Sequence, residues 1–118
     1  MAGMTERLFS YGTLQDPAVQ RATFGRELAT APAVLPGFRT GLLRITNPEV
    51  VRTSGSAEHP VLLPSTGPAD EVVGSVLELT AEELAAADAY EAADYVRAAV
   101  TLRSGDSAWA YLARDGVA

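Results

Sequence analysis

Two short stretches of this chain carry residue types that can act together chemically. One is Tyr11-Gly12-Thr13-Leu14, which follows Phe9-Ser10; the other is Ala87-Asp88-Ala89-Tyr90-Glu91, with Tyr95 and Arg97 just beyond it. In the first, a glycine falls where a short apolar strand must turn, so successive backbone N–H groups can face a concave site and hold an anion. In the second, Glu91 falls on a helix face that is otherwise apolar. Counting from Leu84 at about 100° per residue, Ala87, Asp88 and Glu91 lie within roughly 60° of it. A glutamate on a buried stripe is a candidate proton carrier, because partial burial disfavours its charged form and moves its pKa toward the range useful to an acid-base catalyst.

The neighbouring polar residues divide between chemistry and packing. For Tyr11 the ring is read as packing and the backbone as the functional part. Tyr95 either lends its hydroxyl to the pocket or packs. Arg97 either holds a substrate carboxylate or, the favoured reading, is a barrel-surface charge or a partner to an acidic neighbour. Asp88, one turn before Glu91, is read as bonding to a nearby loop or backbone and is left out of the catalytic set. His59 stands alone in a loop-rich stretch and is read as solvated, with no assigned role.

These residues need elements to position them. Leu8 to Tyr11 reads as a strand, and Asp16-Pro17 as a helix start with Asp as N-cap and Pro at the first helical position; that helix runs to about Phe24 and closes at Gly25. Ala33 to Thr46, broken by Pro36-Gly37 and Gly41, reads as two strands or one strongly bent one. Asn47 to Pro68 is rich in Pro, Gly and Ser and reads as loop, with Val61-Leu62-Leu63 as a possible edge strand. Glu71 to Leu79 alternates as a strand does, with Val73, Ser75, Leu77 and Leu79 on one face. Thr80-Ala81-Glu82-Glu83 is a capping box that opens a helix from about Ala81 to Tyr90. Tyr95 to Arg103 and Ser107 to Ala113 form a hairpin around Ser104-Gly105-Asp106.

Composition narrows the class. At 118 residues, one domain is expected, long enough to bury roughly two-thirds of its unfolded surface. With no cysteine and one histidine, disulfide scaffolding, thiolate catalysis and Cys/His metal sites are not expected. A net charge of −6, with nine basic residues, all arginine and scattered, argues against a nucleic-acid partner. No apolar run approaches a membrane span, and Met1 to Arg7 lacks the pattern of a signal peptide, so a soluble cytoplasmic protein is expected.

The two motifs in this order, with Ala33-Val34-Leu35-Pro36-Gly37-Phe38 and Val73-Gly74-Ser75-Val76-Leu77 between them, resemble the gamma-glutamylcyclotransferase-like superfamily, in particular its AIG2-like and gamma-glutamylamine cyclotransferase branch. The resemblance covers nearly the whole chain. It implies an α+β fold: a small, mainly antiparallel β-barrel of about six strands, flanked by two or so helices, with the ligand cavity at one end. It implies cyclisation of a small gamma-glutamyl amine or amino acid to 5-oxoproline, with Glu91 as general acid-base, Tyr11, Gly12, Thr13, Leu14 and Tyr95 binding substrate, and no metal or cofactor. It points away from glutathione. Two positions depart from the family pattern: Ala87 where a leucine is usual, and Ala92 where a glycine is common. Two other readings stay open. One is a binding module on the same barrel that does no chemistry; the other is a step that removes a gamma-glutamyl group from a biosynthetic intermediate.

Overall fold

Seven strands and three helices follow the chain in the computed structural model, which describes residues 5–45, 48–55, 58–67, 69–92 and 94–113. Strand β1 (Glu6–Ser10) runs through a 3-10 turn (Thr13–Gln15) into helix α1 (Pro17–Phe24). Strands β2 (Ala29–Pro36) and β3 (Phe38–Arg44), helix α2 (Pro48–Ser54) and strands β4 (Glu58–Pro64) and β5 (Glu71–Leu79) come next. Helix α3 (Ala81–Glu91) then leads into the β6 (Tyr95–Thr101) and β7 (Ser107–Ala113) hairpin.

The strands form one curled sheet in the order β2-β5-β1-β7-β4-β3, with β6 also paired to β7. Most pairings are antiparallel, but β7 runs parallel to both β1 and β4, at Leu8↔Trp109 and Leu62↔Leu112. The fold is therefore α+β, as expected, with a mixed half-barrel of seven strands in place of about six. β2 and β3 do not pair with each other; they lie at opposite ends of that order, yet a single residue, Gly37, joins them. Gly37 has φ +84, a conformation that a side chain would strain, so this corner turns one bent strand from one border of the sheet to the other. Pro32 sits on β2, an edge strand, where a missing N–H costs no ladder bond.

Local signals account for the two longer helices. In α1, Asp16 Oδ1 accepts the Ala18 N–H at 2.8 Å, Pro17 takes the first turn, and Gly25 closes the helix in the left-handed region. In α3, the Thr80 hydroxyl accepts the Glu83 N–H at 3.1 Å, and the Glu83 carboxylate accepts the Thr80 N–H at 2.9 Å.

The stretch read as loop needs correction. It contains α2, whose Val50 is buried, and β4, which is an interior strand between β7 and β3. The ends of that reading, Asn47 and Pro68, and Thr46 at the end of the preceding one, lie outside the described residues. The alternation in β5 also breaks: Val72, Leu77 and Leu79 are buried while Val73 is exposed. Both faces of a curled sheet are covered in part, so the buried side changes along the strand. Apolar residues accordingly form two clusters. Leu8, Leu77, Leu84 and Ala87 belong to the one under the helices, and Phe9, Leu35, Leu62 and Ala110 to the other. Among the described residues no helix is long and apolar enough to cross a membrane.

Candidate active site

Consecutive residues of β1 face opposite clusters, so the strand is gripped from both sides before it releases the loop that follows. The loop is then held in several places. Gln15 N–H bonds the Gly12 carbonyl at 3.1 Å, closing the 3-10 turn. The Gln15 side chain reaches the same carbonyl at 3.3 Å and accepts from Ser75 of β5 at 3.0 Å. Gln20, buried in α1, donates to the Leu14 carbonyl at 2.8 Å and accepts the Leu28 N–H at 2.9 Å. A buried amide with both ends satisfied is a rigid clamp. Gly12 lies against β4: a Cβ there would come to 3.2 Å from Pro60 Cγ, so only glycine lets the loop settle this close without displacing the proline ring.

Helix α3 brings Glu91 to this loop. Leu84 and Ala87 are buried, Asp88 and Glu91 half-buried, as the stripe counted from Leu84 requires. Glu91 is the last residue of the helix. It borders a small cavity of about 30 Å³, together with Tyr11, Gly12, Thr13, Leu14, Tyr95, Tyr111, His59 and Pro60. All six residues singled out from the sequence for catalysis or substrate binding therefore meet around one cavity.

The tyrosines are anchored. Tyr11 donates to the Tyr111 carbonyl at 2.6 Å and stacks on Phe9 with ring centroids 6.3 Å apart. Its hydroxyl is thus tied to β7, in keeping with a packing role for the ring. Tyr95 donates to the Pro60 carbonyl at 2.8 Å, tying β6 to β4, while its side chain lines the cavity. Tyr111 donates to Asp88 Oδ1 at 2.7 Å. Burial raises the pKa of all three phenols, so each stays a neutral donor.

Arg97 does not border this cavity. Its Nε lies 2.9 Å from Asp88 Oδ1 and its guanidinium stacks 4.3 Å from the Trp109 ring centre, so the reading of a partner to an acidic neighbour holds. Asp88 itself bonds two side chains, Arg97 and Tyr111, instead of a loop or backbone.

Glu91 has the opposite surroundings. Burial, and secondarily the nearby Asp94 carboxylate, raise its pKa to about 8, which places it between proton donor and acceptor near neutrality. No lysine or arginine is among the described residues lining the cavity. Among the described residues, no group of three or more His, Cys, Asp or Glu is arranged to hold a metal ion.

The sequence reading missed several residues here. His59 is buried on β4, borders the cavity, and lies 2.9 Å from the Ser54 hydroxyl; the expectation that it is solvated is incorrect, because the segment carrying it is an interior strand. Gln15, Gln20, Ser54 and Tyr111 also hold the site. Gln15 and Tyr111 have partners far along the chain, in Ser75, Asp88 and Tyr11, and no local pattern marks any of the four. Tyr90 stood inside the recognised helix motif, and its hydroxyl lies 3.2 Å from Thr13 Oγ1.

Comparison with known proteins agrees with this fold. Residues 8–117 match the sequence model of the family described as gamma-glutamyl cyclotransferase, AIG2-like. A protein of Arabidopsis thaliana with a solution structure is similar at 26% identity and TM-score 0.72, over 100% of this chain and 74% of that one. A structure named gamma-glutamyl cyclotransferase is similar at 18% identity and TM-score 0.70, over 93% of this chain and 67% of that one. An uncharacterized protein of Homo sapiens shares the fold at 20% identity and TM-score 0.67, over 92% of this chain and 66% of that one. A search of curated protein sequences finds no significant match.

Proposed function

The chain belongs to the gamma-glutamyl cyclotransferase, AIG2-like family, and on that footing we propose that it cyclises the gamma-glutamyl group of a small gamma-glutamyl amine or amino acid to 5-oxoproline, releasing the free amine. The observation that carries the reading is the half-buried Glu91 carboxyl, with its pKa raised to about 8, facing the Tyr11 to Leu14 loop across one cavity.

The substrate carries its own nucleophile. Its α-amino nitrogen attacks the side-chain amide carbon, the five-membered ring closes, and the carbon–nitrogen bond to the leaving amine breaks. The α-nitrogen gives up a proton and the leaving nitrogen gains one, so no water is consumed and atoms balance. One carboxyl group can do both transfers. Glu91 takes the proton from the α-nitrogen and returns it to the departing amine; a carboxyl whose two protonation states lie close in energy at working pH suits that double duty.

The loop supplies the complementary charge. The first N–H groups of a 3-10 turn have no partner within it, and Gly12, Thr13 and Leu14 at the start of this one border the cavity. In this reading they hold the substrate carboxylate or the oxyanion that develops on the attacked carbonyl, a preorganised contribution often worth about 3 kcal/mol. Tyr95 and Tyr111 close the far side, and the fixed walls hold the substrate folded with amine against carbonyl.

The test is release of 5-oxoproline from a panel of gamma-glutamyl amines, gamma-glutamyl dipeptides and glutathione, with wild type beside Glu91→Gln. Turnover by wild type that drops by a factor on the order of 10³ in the variant is expected. If a gamma-glutamyl compound raises the melting temperature of wild type but none is turned over, the protein is a binding module and the proposal fails.

A further inference from the structure

The packing of Gly12 against Pro60 leaves no room for a Cβ, yet glycine is also the residue least able to fix the peptide that follows it. Gly12 and Thr13 both border the cavity. A trans peptide carries its carbonyl and its N–H on opposite edges, and no cis peptide occurs among the described residues. The edge of the Gly12–Thr13 peptide that is turned to the cavity therefore decides whether a substrate oxygen meets a donor or an acceptor there.

The carbonyl edge is held elsewhere. Gly12 O accepts the Gln15 backbone N–H at 3.1 Å and Gln15 Nε2 at 3.3 Å, two bonds from one residue. The Gln15 amide is oriented in its turn, because its Oε1 accepts the Ser75 hydroxyl at 3.0 Å and so leaves Nε2 for Gly12. Ser75 lies opposite Ser10 in the β1–β5 ladder. Gly74 beside it lets the two strands close up, since a Cβ there would run into the Ser10 carbonyl oxygen. On the other edge, the Thr13 N–H donates to no group among the described residues. Other donors are scarce. No arginine or lysine is among the described lining residues, and the hydroxyls of Tyr11, Tyr95 and Tyr111 already donate to the Tyr111 carbonyl, the Pro60 carbonyl and Asp88.

We infer that Gln15, oriented by Ser75, is a positioning residue: it holds the Gly12 carbonyl away from the cavity and so keeps the Thr13 N–H presented to a substrate oxygen. The identity of that oxygen, in a carboxylate or in the attacked carbonyl, rests on the cyclotransferase reading; the clamp can be tested without it.

At 118 residues the chain suits assigned carbon-13 and nitrogen-15 spectra, and 5-oxoproline, with a ring carbonyl and a carboxylate, is the probe. In wild type its addition is expected to move the Thr13 amide proton downfield, as a new hydrogen bond does. Gln15→Met keeps the length of the side chain and removes both polar ends. It is expected to move the Gly12 carbonyl carbon upfield in the free protein and to weaken 5-oxoproline binding about tenfold. It should lower kcat/KM for gamma-glutamyl ethylamide by a similar factor, as for loss of one hydrogen bond. The midpoint of kcat/KM against pH stays at its wild-type value, because Glu91 keeps its surroundings; a general collapse of the site moves it. Ser75→Ala is expected to act in the same direction by about threefold, and to add nothing to Gln15→Met, since it works only through Gln15. Being the smaller change, it carries the same test where Gln15→Met does not fold. A Thr13 amide proton indifferent to 5-oxoproline, a Gly12 carbonyl carbon that moves in neither variant, wild-type binding and kinetics in Gln15→Met, a displaced pH midpoint, or an additive double variant each overturn the inference. If wild type turns over no gamma-glutamyl compound, but 5-oxoproline moves the Thr13 amide proton and binds Gln15→Met less tightly, the positioning stands and the cyclotransferase reading alone fails.

Discussion

Two of the three glutamates of helix α3, Glu83 and Glu91, stand at opposite ends, and the fold treats them in opposite ways. Glu83, in the first turn, accepts from Arg26 through both carboxylate oxygens, at 2.7 and 2.8 Å, and from the Thr80 N–H. Its pKa is lowered, first by the Arg26 bond, against the opposing effect of partial burial. Glu91, the last residue, is half-buried among apolar and phenolic groups, and its pKa rises to about 8 through that burial and then through Asp94. The backbone adds to the contrast, since N–H groups at a helix start favour an anion and carbonyls at its end disfavour one. Residue type therefore says little about role; what surrounds the carboxyl makes one a staple and suits the other to the proton transfer proposed for it.

The contrast breaks most visibly on activity. Where Glu91→Gln is expected to lower turnover by on the order of 10³, Glu83→Gln is expected to leave kcat/KM within about twofold of wild type, because its partners lie at the far end of the helix from the cavity; parallel steady-state assays check the pair. A large loss in Glu83→Gln means the two ends are coupled.

Stability against pH should separate them next. Below about pH 4.5 Glu91 is protonated whether the chain is folded or not. Between there and about pH 8 the unfolded chain ionises it while the folded one resists, so folding stability falls as pH rises, by on the order of 5 kcal/mol from this group alone. Glu91→Gln should flatten that decline in urea unfolding series. Glu83 has the reverse sign: its contribution is present above the ordinary carboxylate range and is lost as pH falls through its lowered pKa. A decline that persists unchanged in Glu91→Gln refutes the assignment.

Smaller effects sharpen the picture. Thr80→Ala removes the cap and should cost about 1 kcal/mol in denaturant unfolding while leaving KM unchanged. Asp94→Asn removes the secondary cause of the Glu91 shift. The midpoint of the rise in kcat/KM with pH, expected near 8 in wild type, should move down without disappearing, because burial remains the main cause.

Much of the fold was readable locally. Asp16-Pro17 and Thr80 to Glu83 announce helix starts because a cap and its partner lie within three residues of each other. Helix α2 was not readable: Val50, Val51 and Thr53 are weak helix formers in a stretch punctuated by Pro and Gly, and contact of Val50 with the core decides its state. β4 suffered in another way. Its strand residues were visible, but its place between β7 and β3 depends on pairings with residues far along the chain.

The same division runs through the site. Tyr11 to Leu14, Glu91 and Tyr95 were found because family motifs and helical spacing are one-dimensional patterns, and a carboxylate on an apolar stripe stands out in them. Gln20 under the loop, Asp88 joined to Arg97 and Tyr111, and His59 joined to Ser54 beside the cavity all lay beyond such patterns. A hydrogen bond needs two groups within about 3 Å of each other, and for these pairs the approach is created by sheet closure and helix packing. The chain alone specified which groups were available; curling the sheet and packing the helices on it chose which of them meet and which are buried, because those contacts join residues far apart along the chain.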